Sequence, residues 1–249
     1  MAFQRKTLVL VSLAAASVTA GFQAGQKAPS AAADPIIAGF QKTTVASVCD
    51  AVDQITGSRG FMSHDMRPRV PGAFVGRART ALIKPAPPEK ATPALSVKHS
   101  VEMIDNSNPG EVGIIVIENG LDVAGLGGLM GTAAQSRGMA GIVIDAGVRD
   151  VAELRAMKLP VYARSVAPAS TVGHFASVSN NVPVQCAGVS VKPGDIIVAG
   201  EDGVIRVPQD KAAEVLKRAQ EIDVRETKMV PYILKSRSLT KAIEVFNRI

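Results

Sequence analysis

The chain has 249 residues, 47% of them hydrophobic and 20% charged, and carries a formal net charge of +6. That size supports one globular domain with a full core plus short appendages. Aromatic residues make up 4% and Trp is absent, which argues against a stacking platform for single-stranded nucleic acid; the modest positive charge permits anionic partners without demanding them.

The first residues have the pattern of an export signal. MAFQRK supplies a basic start with Arg5 and Lys6, and TLVLVSLAAASV adds an apolar run of about a dozen residues. Small residues at Val18 and Ala20 place the expected cleavage after Ala20. A membrane span needs about 18 or more apolar residues, and no Cys sits near the cleavage point to take a lipid. The expectation is an exported protein with residues 1–20 as signal, 21–33 as flexible linker and no stable membrane anchor.

Folded structure is expected from Asp34, where an Asp-Pro pair can open a helix. Ile36–Ile55 has apolar residues at three- and four-residue spacings, which predicts a helix or helix pair closed by Gly57. Gly72–Ile83 reads as strand, and a Pro-rich loop follows. Ala94–Asn106 has helical spacing, and Val112–Asn119 is an apolar strand of the buried type. Thr132–Gly138 belongs to a helix, Ala140–Asp145 to a second buried strand, VAELRAMK to a helix, and Leu159–Val166 to a third strand. The pattern then changes. Val182–Pro208 holds three short strand-like runs punctuated by KPGD and EDG, which predicts a small antiparallel unit. Gln209–Met229 is a long charged helix, and residues 233–249 form a helical tail to a domain spanning 34–232. Strands alternating with helices, followed by hairpins, make an α/β fold with a mixed sheet. Cys49 and Cys186 read as two buried free thiols.

Two stretches could carry chemistry. Arg149 and Asp150 follow a predicted strand and precede a predicted helix. Asp150 can cap that helix, with Glu153 completing a capping box worth about 1 kcal/mol. Ligand sites of α/β sheets also lie at the carboxyl ends of strands; there an Arg can grip a carboxylate and an Asp can ligate a hard cation. GLGGLMGTAAQ places four glycines before a helix, where free amides can cradle an anion or the glycines can serve close packing. It lacks the dinucleotide fingerprint, since Met130 stands where the third Gly is needed, and there is no phosphate-binding Gly-Lys-Ser/Thr loop. The basic stretch Gly60–Arg79, with His64, Asp65, Arg67, Arg69, Arg77 and Arg79, is either a solvated face or an anion-contacting lid.

Twenty residues separate Gly128 from Arg149-Asp150, and Glu153 follows after two more. With RGMAGIVIDAGVRDVAEL, LPVYARSVAPAS and VPVQCAGVSVKPGDIIVAGEDGVIRVP, the chain resembles the RraA-like family over about residues 40 to 230. That family includes regulators of ribonuclease activity and 4-hydroxy-4-methyl-2-oxoglutarate aldolases. The resemblance implies a compact β/β/α swivelling-type domain with flanking helices, assembled as a homotrimer or hexamer with sites between subunits. It implies a metal-dependent lyase that releases pyruvate from 2-oxo acids, by retro-aldol cleavage or by decarboxylation of oxaloacetate. Arg149 would bind the carboxylate and oxo end of the substrate, Asp150 would ligate magnesium or manganese, and the Gly128-Leu129-Met130 loop would hold the substrate carboxylate with its amides. An acidic residue of the C-terminal helix, matched to Glu226 with Glu221 as rival, would reach a neighbouring subunit's site. The alternative within the family is a non-catalytic regulator; a methyltransferase finds no nucleoside-binding glycine loop in this sequence, and nucleic-acid binding no basic patch interleaved with aromatics. One departure stands out. The aldolase pattern has an acidic residue before the two-amide loop, where this chain has Gly128; Asp122 and Asp145 are the nearby acids that could substitute.

Overall fold

The computed structural model describes residues 34–248, so the expected signal and linker over 1–33 lie outside the described residues. In chain order the elements are α1 (Pro35–Phe40), α2 (Val45–Thr56), β1 (Arg67–Val70), β2 (Phe74–Pro85), α3 (Pro93–Asp105), β3 (Val112–Ile117), α4 (Gly128–Ser136), β4 (Gly141–Val148) and α5 (Val151–Met157). They continue with β5 (Val161–Val166), β6 (Phe175–Asn180), β7 (Val184–Cys186), β8 (Val189–Val191), β9 (Ile196–Gly200), β10 (Gly203–Val207), α6 (Ala212–Ser236) and α7 (Leu239–Phe246).

The local signals explain the first elements. The Asp34 carboxylate accepts from the Ile36 amide at 3.0 Å, with Pro35 opening α1. Thr44 caps α2 through its hydroxyl, and Gly57, at φ +64°, ends it in the left-handed region that favours glycine. The predicted helical stretch is therefore a pair.

One mixed sheet organises the domain, in the order β1-β5-β4-β3-β2-β9-β10, with β6 also paired to β2. The strands β2, β3, β4 and β5 are mutually parallel. β2 is long enough to serve two neighbourhoods. Its first half, Phe74–Arg77, pairs antiparallel with β9, and its second half pairs with β3 and β6. All six residues of β3 are buried, the expected state of a parallel strand covered on both faces, hence its unbroken apolar run. Three clusters of apolar side chains form the core. Ile115, Ile142, Ile144 and Leu154 belong to the first, Ile114, Val143 and Tyr162 to the second, and Val48, Val198 and Val215 to the third. The second also takes in the β7–β8 hairpin, and the third joins α1, α2 and α6 to β9 and β10.

Three sequence expectations change. The region 182–208 holds four strands, and it is not a separate unit: β7 and β8 pair with each other, whereas β9 and β10 extend the main sheet through β2. β6 was not expected, because FASVSN has too few strongly apolar residues to announce itself; its pairing with β2 decides its conformation. Helix α6 continues through Pro231 to Ser236, past the expected end at Met229 and past the boundary drawn at 232. A helix-interior Pro breaks one backbone bond, but α7 folds back on α6, with Tyr232 and Phe246 edge-to-face at 5.7 Å. That packing holds the last turns of α6.

Candidate functional site

The site lies where β3 and β4 end, at the carboxyl edge of the parallel strands. After β3 the chain runs back across the ends of its neighbours. Ala124 forms bridges to Gly147 and Ser170, its amide donates to Ala169 O at 2.8 Å, and the Gly125 amide donates to Gly147 O at 2.9 Å. The Arg149 amide in turn donates to Leu126 O at 3.1 Å. These bonds lay the glycine-rich loop against the residues that follow β4.

The glycines are there for close approach. A Cβ at Gly127 would stand 2.6 Å from Asp150 Oδ2 and 3.1 Å from Arg149 Nε. Gly127 thus lets both charged side chains lie against the backbone that leads into α4. The first intrahelical bond of α4 runs from the Gly131 amide to Gly127 O. The amides of Gly128, Leu129 and Met130 precede it and have no helical carbonyl to bond.

Asp150 does not make the expected capping box with Glu153. It precedes α5 in the left-handed conformation, at φ +55° and ψ +36°, and makes no side-chain cap bond to that helix. Its carboxylate turns instead to the neighbouring helix and accepts from the Gly128 amide at 2.8 Å. Glu153 turns the same way: its Oε2 fills the position that a Cβ of Gly128 would take, and Asp150 Oδ2 is 3.7 Å from that point. Two carboxylates from the start of α5 therefore face the positive end of α4. A left-handed Asp is tolerated at a cost of about 1 kcal/mol, and such strain collects at functional sites.

The Arg149 guanidinium stands 3.8 Å from Asp150 Oδ2, and the two side chains are 43% and 40% exposed. Among the described residues no hydrogen bond occupies that guanidinium, so its donors can receive an anion. Gly128, Leu129, Met130, Arg149 and Asp150 all line one cleft of about 430 Å³. Leu129, at its rim, is 91% exposed.

Other sequence candidates sit elsewhere. Asp145 cannot stand in for the acid missing at 128, because its carboxylate takes Arg164 Nη1 at 3.0 Å and the Ala187 amide at 2.6 Å. Asp122 does not line the cleft. Glu153 does not line the cleft either, but its Oε2 lies against Gly128; its i+3 spacing from Asp150 was the available signal. Glu226 and Glu221, expected to reach a neighbouring subunit's site, lie away from this chain's own cleft; Glu226 is paired with Arg248 at 2.7 Å, alongside Asp50, and Glu221 with Arg218 at 3.2 Å. The basic stretch forms no lid. Arg69 donates to the carbonyls of Ala163 and Arg164, Arg77 to Asp34 and Gly194 O, and Arg79 stands 3.8 Å from Glu111. These arginines bind chain segments together, which is why none is available to the cleft. His64 and Arg67 line a second hollow of about 410 Å³ between α2 and β10. Arg164 holds Asp65 at 2.8 Å, and that bond pulls the Asp65 carboxyl down to about 2. Cys49 and Cys186 are free, but only Cys186 is buried as expected and Cys49 is half-buried; burial pushes both thiols up, and Asp50 and Asp53 add to this for Cys49.

Comparison with known proteins follows the same lines. A model of the RraA-like family, described as Aldolase/RraA, matches residues 45–206. The chain belongs to the RraA-like family. A protein of Albidiferax ferrireducens provisionally named a 4-hydroxy-4-methyl-2-oxoglutarate aldolase is 41% identical over 115 residues, covering 44% of this chain and 66% of that protein. One of Halalkalibacterium halodurans with the same provisional name is 31% identical over 118 residues, or 46% and 54% of the two chains. The chain thus aligns with roughly half to two thirds of the length of these curated RraA-like relatives. A crystal structure of a Pseudomonas syringae protein superposes with a TM-score of 0.76 at 25% identity, over 90% of this chain and 99% of that one. A Streptomyces coelicolor protein described as an unusual member of the RNase ES inhibitor RraA family superposes at 0.68 and 24% identity, over 78% and 94%. These neighbours share the RraA fold, a mixed sheet flanked by helices.

Proposed function

We propose that the cleft at the start of α4 is the active site of a divalent-metal-dependent lyase that releases pyruvate from 2-oxo acids. The observation that carries this reading is the convergence in one cleft of the Arg149 guanidinium, which stands 3.8 Å from Asp150 with no hydrogen bond occupying it among the described residues, the Asp150 carboxylate, which takes the Gly128 amide, and the Leu129 and Met130 amides of the helix start. The provisional aldolase names of several relatives point the same way.

The donor set fits a hard cation of the magnesium type. Such ions take one or two protein carboxylates and complete their shell with water and substrate oxygens. Asp150 offers the oxygen that does not face the Gly128 amide, and Glu153 lies beside it. Among the described residues no group of three or more acidic, His or Cys side chains is placed to hold a metal ion, so substrate and water would supply the rest. When bound, a magnesium or manganese ion polarises the 2-oxo group as a Lewis acid.

The chain's own residues do the remainder. Arg149 binds the substrate carboxylate and places fixed positive charge where an enolate develops. The Leu129 and Met130 amides donate to the same carboxylate. Glu153 Oε2 lies against Gly128 but does not line the cleft; it would take the proton of the departing hydroxyl in retro-aldol cleavage through a bridging water. The same enolate stabilisation serves decarboxylation of oxaloacetate.

The test is pyruvate release from oxaloacetate and from 4-hydroxy-4-methyl-2-oxoglutarate, with and without magnesium or manganese. Metal-dependent turnover that Arg149→Ala removes supports the lyase. No turnover on either compound would sink it and leave a non-catalytic binding role. We further propose assembly as a trimer or hexamer, supported by the 91% exposure of Leu129 at the cleft rim, and export directed by residues 1–20. Light scattering and cell fractionation test these in turn.

A further inference from the structure

Two apolar features of the chain are left uncovered, and they lie on different elements. The first is Leu129 at the start of α4, 91% exposed, with the 38% exposed Val172 on the same cleft. The second is the hollow of about 410 Å³ where residues of the two end strands of the sheet, β1 and β10, face α2. Its floor is apolar: Met62, Met66, Val204 and Ile205 are buried core residues, and Val45 and Cys49 of α2 form one wall. The hollow and the cleft share no lining residue.

A Leu side chain held in water gains from burial, and an apolar hollow gains from being filled. Pairing either feature with its own copy would set knob against knob or hollow against hollow and bury neither. A knob on one surface and a hollow on another make a head-to-tail contact, which closes into a ring when the rotation allows. The charged borders are complementary as well. Arg149 and Asp150 share the cleft with Leu129, and Arg67 and Asp202 border the hollow. Among the described residues Arg67 and Asp202 make no ion pair or side-chain hydrogen bond, whereas Asp50, the other acid of the hollow, is held by Arg248. Each border thus offers a cation and a carboxylate to the other. From this we infer that Leu129 of one copy of the chain seats in the hollow between α2 and β10 of a second copy. The inference deepens the proposed assembly by naming its interface and uses nothing of the lyase chemistry.

A stable contact buries about 800 Å² on each partner, more than one Leu side chain supplies, so the apolar residues at the two borders belong to it. Val172 is one. Phe61, which lines the hollow and is 46% exposed in a single chain with Arg59 stacked on its ring at 4.2 Å, is the other. With Leu129 seated, Phe61, His64 and Arg67 of the partner subunit border the cleft that holds Arg149 and Asp150. Each cleft is then completed by residues of two chains.

A native thiol at the seat provides the test. Cys49 lines the hollow, and the other thiol, Cys186, is fully buried in the core. In the seated arrangement Leu129→Cys sets a second thiol beside Cys49 of the partner subunit, within the short reach that a disulfide demands. Mild oxidation of this variant with diamide is expected to give a covalent ladder on non-reducing gels, ending at the subunit number found by light scattering. Adding Cys49→Ser is expected to abolish the ladder. Two surface changes supply a second readout. Leu129→Asp removes the knob, and Ala46→Trp fills the hollow from an exposed position of α2. Each is expected to weaken association about tenfold or more, with circular dichroism unchanged. An oligomer that gives no ladder, or a ladder that survives Cys49→Ser, would overturn the interface and leave the assembly standing. A wild-type chain that scatters as a monomer would overturn both. Neither readout passes through pyruvate release, so failure of the lyase test is told apart from failure of this one.

Discussion

Replacing Asp150 in turn by Asn, Gly and Ala separates backbone strain from carboxylate chemistry. Asp150 stands at φ +55° and accepts the Gly128 amide at 2.8 Å. Alanine loses that bond, worth about 1 kcal/mol at a half-exposed carboxylate, and pays about 1 kcal/mol more to sit in the left-handed region. Glycine loses the bond and relieves the backbone, for a net cost of about 1 kcal/mol. Asparagine tolerates the left-handed region and its amide oxygen can still accept from Gly128, so it loses only charge near the start of α4, about 0.5 kcal/mol. For a domain of this size 1 kcal/mol moves Tm by about 2–4 °C. Thermal denaturation is thus expected to rank the variants Asn, Gly, Ala, with alanine about 4–8 °C below wild type. Metal-dependent pyruvate release is expected to behave differently, falling by about a hundredfold or more in all three, because each removes the cation's carboxylate ligand. An asparagine variant that keeps its turnover would refute the metal role. Alanine as stable as glycine would refute the strain argument.

Further expectations follow from the ion pairs, the thiols and the helix start. The Asp65 carboxyl is held at about 2 by Arg164, below its ordinary 3.8. A depressed carboxyl contributes stability above its unfolded value and loses it as pH falls, so the pair's share, about 1–2 kcal/mol after solvent screening, is present above pH 4 and lost between about 4 and 2; urea titrations across that range should show the loss, and Asp65→Asn should lack it. Arg164→Ala leaves the mostly buried Asp145 with its Ala187 amide bond alone, and should cost about 2–3 kcal/mol in urea unfolding. Gly128→Ala meets only the tip of a flexible side chain, Glu153, so stability should change by less than about 1 kcal/mol, while pyruvate release falls as Glu153 is displaced. Native protein should react slowly with a thiol reagent at pH 8, with Cys186 reacting only on unfolding, since burial raises both thiols.

Much of this protein is legible in its sequence because the signals are local. The unbroken apolar run of β3 and the apolar start of β4, before Asp145, state that these strands are buried on both faces, and Asp34-Pro35 and Gly57 mark helix ends by chemistry that acts within a turn. The spacing from Gly128 to Arg149, Asp150 and Glu153 identified the family and brought the loop and the charged pair under suspicion together. What tertiary structure alone decided is where side chains point and which strands meet. Asp150 reads as a cap for its own helix, yet its left-handed backbone aims the carboxylate at a different helix, 22 residues back in sequence. Glu153 occupies space that exists only because residue 128 has no side chain, and a one-dimensional pattern does not contain that space. β6 and the attachment of β9–β10 to the sheet depend on β2 having two pairing neighbourhoods. Periodicity reports the burial of a segment; it carries no information on the partner that buries it.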